Sequence, residues 1–277
     1  MTDQMPTRLT TVRNVARNAL RPRYGIEMVR KVSDRVKEAG NRTDREAVKR
    51  WCRAQEESAD DLFGSLDPVL WAEAVGFAAE FTAAARSKLD RLGVDMGGGG
   101  DYRILYFLTR YLRPEVVLET GVAAGFTSSS VLTAMDRNGS GHLWSSDFPY
   151  FRHANPEADI GVLVDPGLKD RWTLLTQGDR ANLPQILNEC GPIQLLHYDS
   201  DKTASGRAFA LDAVSSHLTD DCVVIFDDVD DDFHFRDWSA ELSHGSHVFQ
   251  FGGKHLGVAC LGGPLSELPP AAPSASG

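Results

Sequence analysis

Cysteine is scarce in this 277-residue sequence. Cys52, Cys190, Cys222 and Cys260 stand far apart and form no CxxC pair. That spacing offers neither a zinc knuckle nor a redox dithiol. Cys222 and Cys260 lie in apolar, strand-like runs, so buried reduced thiols are the expectation. Long apolar runs are missing too. None reaches the roughly 18 residues of a spanning helix, and no apolar signal core follows the N-terminus. A cytoplasmic protein is therefore expected. Positive charge is sparse after the first segment. Residues 1–53 hold 14 Lys and Arg against 6 Asp and Glu, while the remainder holds 15 against 33. An acidic body lacks the basic track that a phosphate backbone needs, which argues against a nucleic-acid partner. The basic N-terminus is the one segment suited to peripheral contact with an anionic surface. The simpler expectation is a helix face packed on the acidic body or on a second subunit. Finally, there is no GxGxxG, so the tight pyrophosphate turn of a dinucleotide site is absent.

What is present reads as an α/β chain. Residues 1–100 are expected to form a helical extension, with helix over Pro68–Leu92 and a flexible break at Gly97–Gly100. Residues 101–265 alternate strand and helix. Strands read at Val116–Glu119, His142–Asp147, Trp172–Gln177, Ile193–Asp199 and Cys222–Asp227. Their near-continuous apolar hearts suit a parallel sheet covered on both faces. His247–Phe251 and His255–Leu261 flank Gly252-Gly253 as a hairpin. The tail, residues 266–277, is expected to be disordered. The fold class is thus a Rossmann-like doubly wound sheet, mostly parallel, with a C-terminal antiparallel hairpin and an N-terminal helical extension.

Ligands of such sheets bind beyond the carboxyl ends of the strands. Five acids sit there: Glu119, Asp147, Asp179, Asp199 and Asp227. The first strand runs into Glu119-Thr120-Gly121-Val122-Ala123-Ala124-Gly125, where two glycines let the backbone turn tightly and approach a ligand. Glu119 would repel a pyrophosphate but tolerate a cationic ammonium or sulfonium. Asp147 can accept the hydroxyls of a ribose. Asp179, after Gly178, can take an adenine amino group or cap a helix.

The runs ETGVAAGFTSSSVLTAM, SSDFP and LLTQGD resemble class I S-adenosylmethionine-dependent methyltransferases, and among them the bacterial macrolide-sugar and aminocoumarin-sugar O-methyltransferases. The resemblance spans about Gly100 to Leu261. It implies that Glu119 and the Gly121–Gly125 loop hold the amino-acid end of S-adenosylmethionine and that Asp147 holds its ribose. Thr120, Ser128, Phe148, Gly178, Asp179 and Asp199 complete the expected cofactor-binding set.

Asp199, Asp227 and Asp228 end neighbouring strands, and three close carboxylates call for a cation. An oxygen-only set suits Mg²⁺ or Mn²⁺, and the resemblance implies metal carboxylates at these strand ends. Asp230, Asp231 and Asp232 read instead as a solvated acidic loop. Asp201 is the first choice as general base, with His153 and His234 as rivals. The group's pattern continues with His and then an aromatic residue, where this chain has Lys202 and Ala204. The expected activity is Mg²⁺-dependent O-methylation of a sugar, glycoside or polyhydroxy small molecule. The alternatives are a metal-independent methyltransferase of a phenol, acid or amine, and a non-catalytic protein of the same fold. A homo-oligomer is expected, because Trp51, Leu62, Phe63, Leu66 and Trp71 need cover.

Overall fold

The computed structural model describes residues 8–19, 44–93 and 95–263, together with Arg21, Tyr24, Gly25, residues 27–30 and Ser33. The tail expected to be disordered lies outside the described residues. The sheet is built as its apolar runs require. Its eight strands are β1 (Glu56–Glu57), β2 (Val116–Thr120), β3 (His142–Ser146), β4 (Trp172–Leu175), β5 (Ile193–Tyr198), β6 (Leu218–Phe226), β7 (Ser246–Phe251) and β8 (Lys254–Cys260). They lie in the order β1-β7-β8-β6-β5-β2-β3-β4. Strands β6, β5, β2, β3 and β4 are parallel neighbours. Strand β8 runs antiparallel to both β6 and β7. The doubly wound sheet with its hairpin is therefore the fold, and the connection reverses between β5 and β2, where a crevice opens.

Helices cover both faces. They are α1 (Arg8–Ala19), α2 (Arg45–Gln55), α3 (Ala59–Leu66), α4 (Pro68–Leu92), α5 (Tyr102–Leu112), α6 (Phe126–Asn138), α7 (Asp179–Glu189), α8 (Ala204–Val214) and α9 (His234–Ser239). Caps set several of their starts. Asp67 accepts from Val69 and Leu70 ahead of Pro68, and Thr203 accepts from Gly206; each such cap contributes about 1 kcal/mol. One core layer joins Ala59, Phe63, Trp71 and Ala74 to Ile104, Leu108, Val117, Val131 and Phe249. Residues on both sides of position 100 thus share this layer. Strand β1, which sequence read as part of a helical stretch, pairs with β7, and His247 Nδ1 lies 2.9 Å from Glu57.

The aromatics invoked for oligomerisation find cover within the chain. Phe63 stacks near Trp71, Phe107 and Phe249 at 5.1–5.3 Å, and Phe63 and Trp71 are buried. All four cysteines are free and buried, and burial pushes the Cys222 and Cys260 thiols up to about 12. No helix among the described residues is long and apolar enough to cross a membrane. The basic N-terminal segment packs on the acidic body. Asn14 donates to the Arg152 carbonyl, Arg17 to that of Ala154, and Asn18 to those of Phe151 and His153. Arg21 pairs with Glu157 at 2.6 Å.

Candidate active site

The carboxyl ends of β2, β3, β5 and β6 open into one cavity of about 760 Å³. That volume falls inside the span of roughly 300–1,000 Å³ typical of small-molecule sites. One wall comes from the turn after β2. Gly121 has φ +85, and a Cβ there would stand 2.4 Å from the Asp199 carbonyl oxygen. Its freedom is needed for the neighbouring main chain, a different reason from the ligand approach that sequence suggested. Ala123 also takes positive φ, +48. Asp147 fixes this turn by accepting from the backbone N–H of Val122 at 3.2 Å and of Ala123 at 2.8 Å. Phe148 and Gly178 line the same wall, together with Asp179, which accepts from Ser146 at 2.6 Å and also from Ser200.

Other residues expected at the cofactor stand behind this wall. Glu119 is fully buried and accepts from Thr127 and Ser128, each at 2.6 Å, and from Ser145 at 2.8 Å. Its charge is thus met by three hydroxyls. Thr120 is buried, with its carbonyl taken by the Asp199 N–H. Gly125 begins α6 at φ +92, its missing Cβ leaving room for Gly161. The Gly97–Gly99 run, read as a flexible break, lines the cavity beside Met96. Thr11 and Val15 of α1 line it as well.

The opposite wall carries the charge. Asp199, Asp227 and Asp228 do converge, with ligand-type oxygens all within 4.8 Å of one another. Asp228 sits at φ +52, a sparsely populated conformation. Its carbonyl is held by Arg207 at 3.0 Å. Two lysines enter the cluster. Lys202 Nζ pairs with Asp199 and, at 2.9 Å, with Asp228. Lys254 Nζ pairs with Asp227 at 3.1 Å and Asp228 at 3.0 Å. Burial and the Asp227 charge, working against Lys202, lift the Asp199 carboxyl to about 7. Burial would raise Asp228 as well, but Lys202 and Lys254 outweigh it and lower its pKa. Behind the cluster lies His197, fully buried, its Nδ1 3.8 Å from Glu119. Burial disfavours its charged form, yet Glu119, Asp199 and Asp227 prevail and raise its pKa.

The three candidate bases stand elsewhere. Asp201 accepts from the Thr203 N–H at 3.1 Å and packs on Gly206, at the start of α8. His153 bridges Asp159 at 2.9 Å and the Asp95 carbonyl at 3.2 Å. His234 opens α9, its ring near Phe226. None of the three lines the cavity. The acidic loop is not merely solvated either. Asp232 pairs with the buried Arg207 at 2.9 Å and accepts from the His234 N–H. Lys254 went unseen in the sequence; only its place just after Gly252-Gly253, opening a strand antiparallel to β6, hinted at it.

Residues 118–229, from mid-β2 to just past Asp228, match a family model described as a methyltransferase domain. Among solved structures, the O-methyltransferase TomG from Streptomyces achromogenes, in complex with SAM, is 15% identical. The alignment covers 75% of this chain and 100% of that one, with a TM-score of 0.53. An O-methyltransferase from Bacillus cereus, in complex with SAH, is also 15% identical, covering 76% and 99% with a TM-score of 0.50. No curated protein matches the sequence. Residues 118–229 thus match a methyltransferase domain, set in a fold shared with these O-methyltransferase structures.

Proposed function

We propose that the protein methylates a hydroxyl of a small polar acceptor, with a sugar, glycoside or polyhydroxy natural product as the favoured class. One observation carries this reading. The Gly121–Asp147 wall and the carboxylate–lysine wall face each other across a single cavity. The cofactor would supply a methyl group on a cationic sulfonium and depart as a neutral thioether, so no acid is needed on the leaving side. Asp147 and Asp179 suit a ribose and an amino group, being carboxylates on the cavity surface. Phe148 offers an apolar face beside them.

On the acceptor side a hydroxyl must be held close to the methyl carbon and lose its proton. Asp199 is the best-placed acceptor of that proton. It lines the cavity, and Lys202 engages only its Oδ1. A wall of carboxylates and ammoniums also favours a polyhydroxy acceptor over an apolar one, because each hydroxyl can both donate and accept. The narrower likeness to macrolide-sugar enzymes belongs to the same reading.

A Mg²⁺ or Mn²⁺ at Asp199, Asp227 and Asp228 is the sequence's further expectation. Convergence of the three carboxylates favours it. Against it, each carboxylate already has an ammonium partner, so the set does not fit a cation as it stands, and no step here is routed through one. Homo-oligomerisation stays part of the proposal, without the aromatic argument for it.

Calorimetry with S-adenosylhomocysteine tests the cofactor half, and labelled methyl transfer into a glycoside panel tests the acceptor half. Absence of S-adenosylhomocysteine binding would remove the proposal.

A further inference from the structure

We infer that Lys202 and Lys254 together take the place of the divalent cation, so that this centre is neutralised by the chain itself and works without metal. The inference rests on the methyl-transfer reading for its chemistry, but its geometry stands alone. Lys202 reaches the cluster from the β5–α8 connection and Lys254 from the first position of β8. Their ammoniums bridge the carboxylates pairwise: Asp199 with Asp228 through Lys202, and Asp227 with Asp228 through Lys254. Asp228, at the middle, gives one oxygen to each lysine. Three carboxyl groups therefore meet two ammoniums within hydrogen-bonding distance. A divalent ion would have to displace both ammoniums from oxygens it needs and then sit beside them as a like charge.

The fold brings these lysines to the cluster. Asp227 is buried, and the Lys254 backbone is placed by the hairpin register in which Lys254 pairs Phe251 and Gly257 pairs both Val248 and Phe226. The positive-φ turn at Asp228 aims its carboxylate between the two ammoniums and is braced by Arg207. Lys254 is the decisive member. With Lys202 alone the cluster would keep an excess of negative charge and an Asp227 without its ammonium, a set that still invites a cation. With both, every carboxyl group of the cluster has an ammonium partner.

The step balances without metal. The acceptor oxygen forms a bond to the methyl carbon as the carbon–sulfur bond breaks. The electron pair of that bond stays on sulfur. The hydroxyl proton passes to Asp199 and later to solvent. The ammoniums stabilise the developing negative oxygen, as a cation otherwise would.

The test needs no acceptor. Mn²⁺ is titrated into wild-type protein, Lys254→Met and Lys254→Gln, and free Mn²⁺ is read from its electron paramagnetic resonance signal. Wild type should leave the signal undiminished up to about millimolar protein, whereas the variants should capture about one Mn²⁺ per chain, at least tenfold more tightly. Capture of one Mn²⁺ per chain by wild type at micromolar concentration would overturn the inference. So would failure of both folded variants to capture any. S-adenosylhomocysteine calorimetry on the same samples separates the two questions: its loss sinks the methyl-transfer reading and leaves the Mn²⁺ result legible.

Discussion

The two walls of the cavity are made differently. The wall after β2 is mostly main chain, with Gly121, Ala123 and Gly178 in positive-φ conformations and the carboxylate of Glu119 hidden behind hydroxyls. The wall after β5 and β6 is mostly charged side chains that hold one another. Backbone walls fix shape, and a substitution there is paid for in folding. Charged walls fix chemistry, and a substitution there changes what happens in the cavity while the sheet stands.

The sharpest way to break this contrast is Gly121→Val. With φ +85 and main chain 2.4 Å from the added Cβ, it should cost roughly 3–5 kcal/mol of stability. Denaturant unfolding reads this. Gly97→Ala, at φ +77 but with nothing within 4 Å of the new Cβ, should cost only about 1–2 kcal/mol. Equal losses in the two variants would mean that strain, rather than the contact with Asp199, sets the requirement.

Next in size is Asp228→Asn, which removes the charge shared by both lysines. Labelled methyl transfer should fall on the order of 100-fold, while affinity for S-adenosylhomocysteine stays within about twofold. An equal loss of both would show that the walls are coupled. Asp147→Ala should do the reverse at the other wall and weaken S-adenosylhomocysteine binding by about 10–100-fold in calorimetry, because charge-assisted hydrogen bonds are lost.

The smallest effect lies outside the cavity, where charges only build structure. Burial would raise the Glu73 carboxyl, but hydrogen bonds from Tyr106, Arg137 and Arg110 outweigh it and lower the pKa from 4.5 to about 2. The folded value lies below the unfolded one. Its stabilisation is therefore complete above pH 4.5 and fades as pH falls through about 2. Glu73 is partly exposed, so the contribution is about 1–2 kcal/mol. Thermal melts of Glu73→Gln and wild type should differ at pH 6 and converge near pH 2.

The sheet was legible because strand ends and apolar hearts are local signals: Val116–Glu119 running into Gly121 and Gly125 declares itself. Asp147, Asp199, Asp227 and Asp228 were legible for the same reason, as strand-end acids. The position of Asp201 relative to the cavity was not legible: it has the residue type of a base, but it packs against Gly206 at the start of α8 and lies outside the lining, and no spacing rule reports that. Lys254 depends on a hairpin register, which joins it to Asp227 across 27 positions. The packing of the basic N-terminal helix on the body was legible from charge, but its partners were not, because its grip is on carbonyls, which leave no mark in a sequence.

That grip also bears on what a change in the cavity lining would disturb. Asn14, Arg17 and Asn18 hold the main chain of residues 151–154 and ignore its side chains. The Arg152 side chain, which lines the cavity and lies over the Tyr150 ring, takes no part in that grip. A substitution at Arg152 is therefore expected to reshape the cavity lining while the docking of α1 on this loop stays intact.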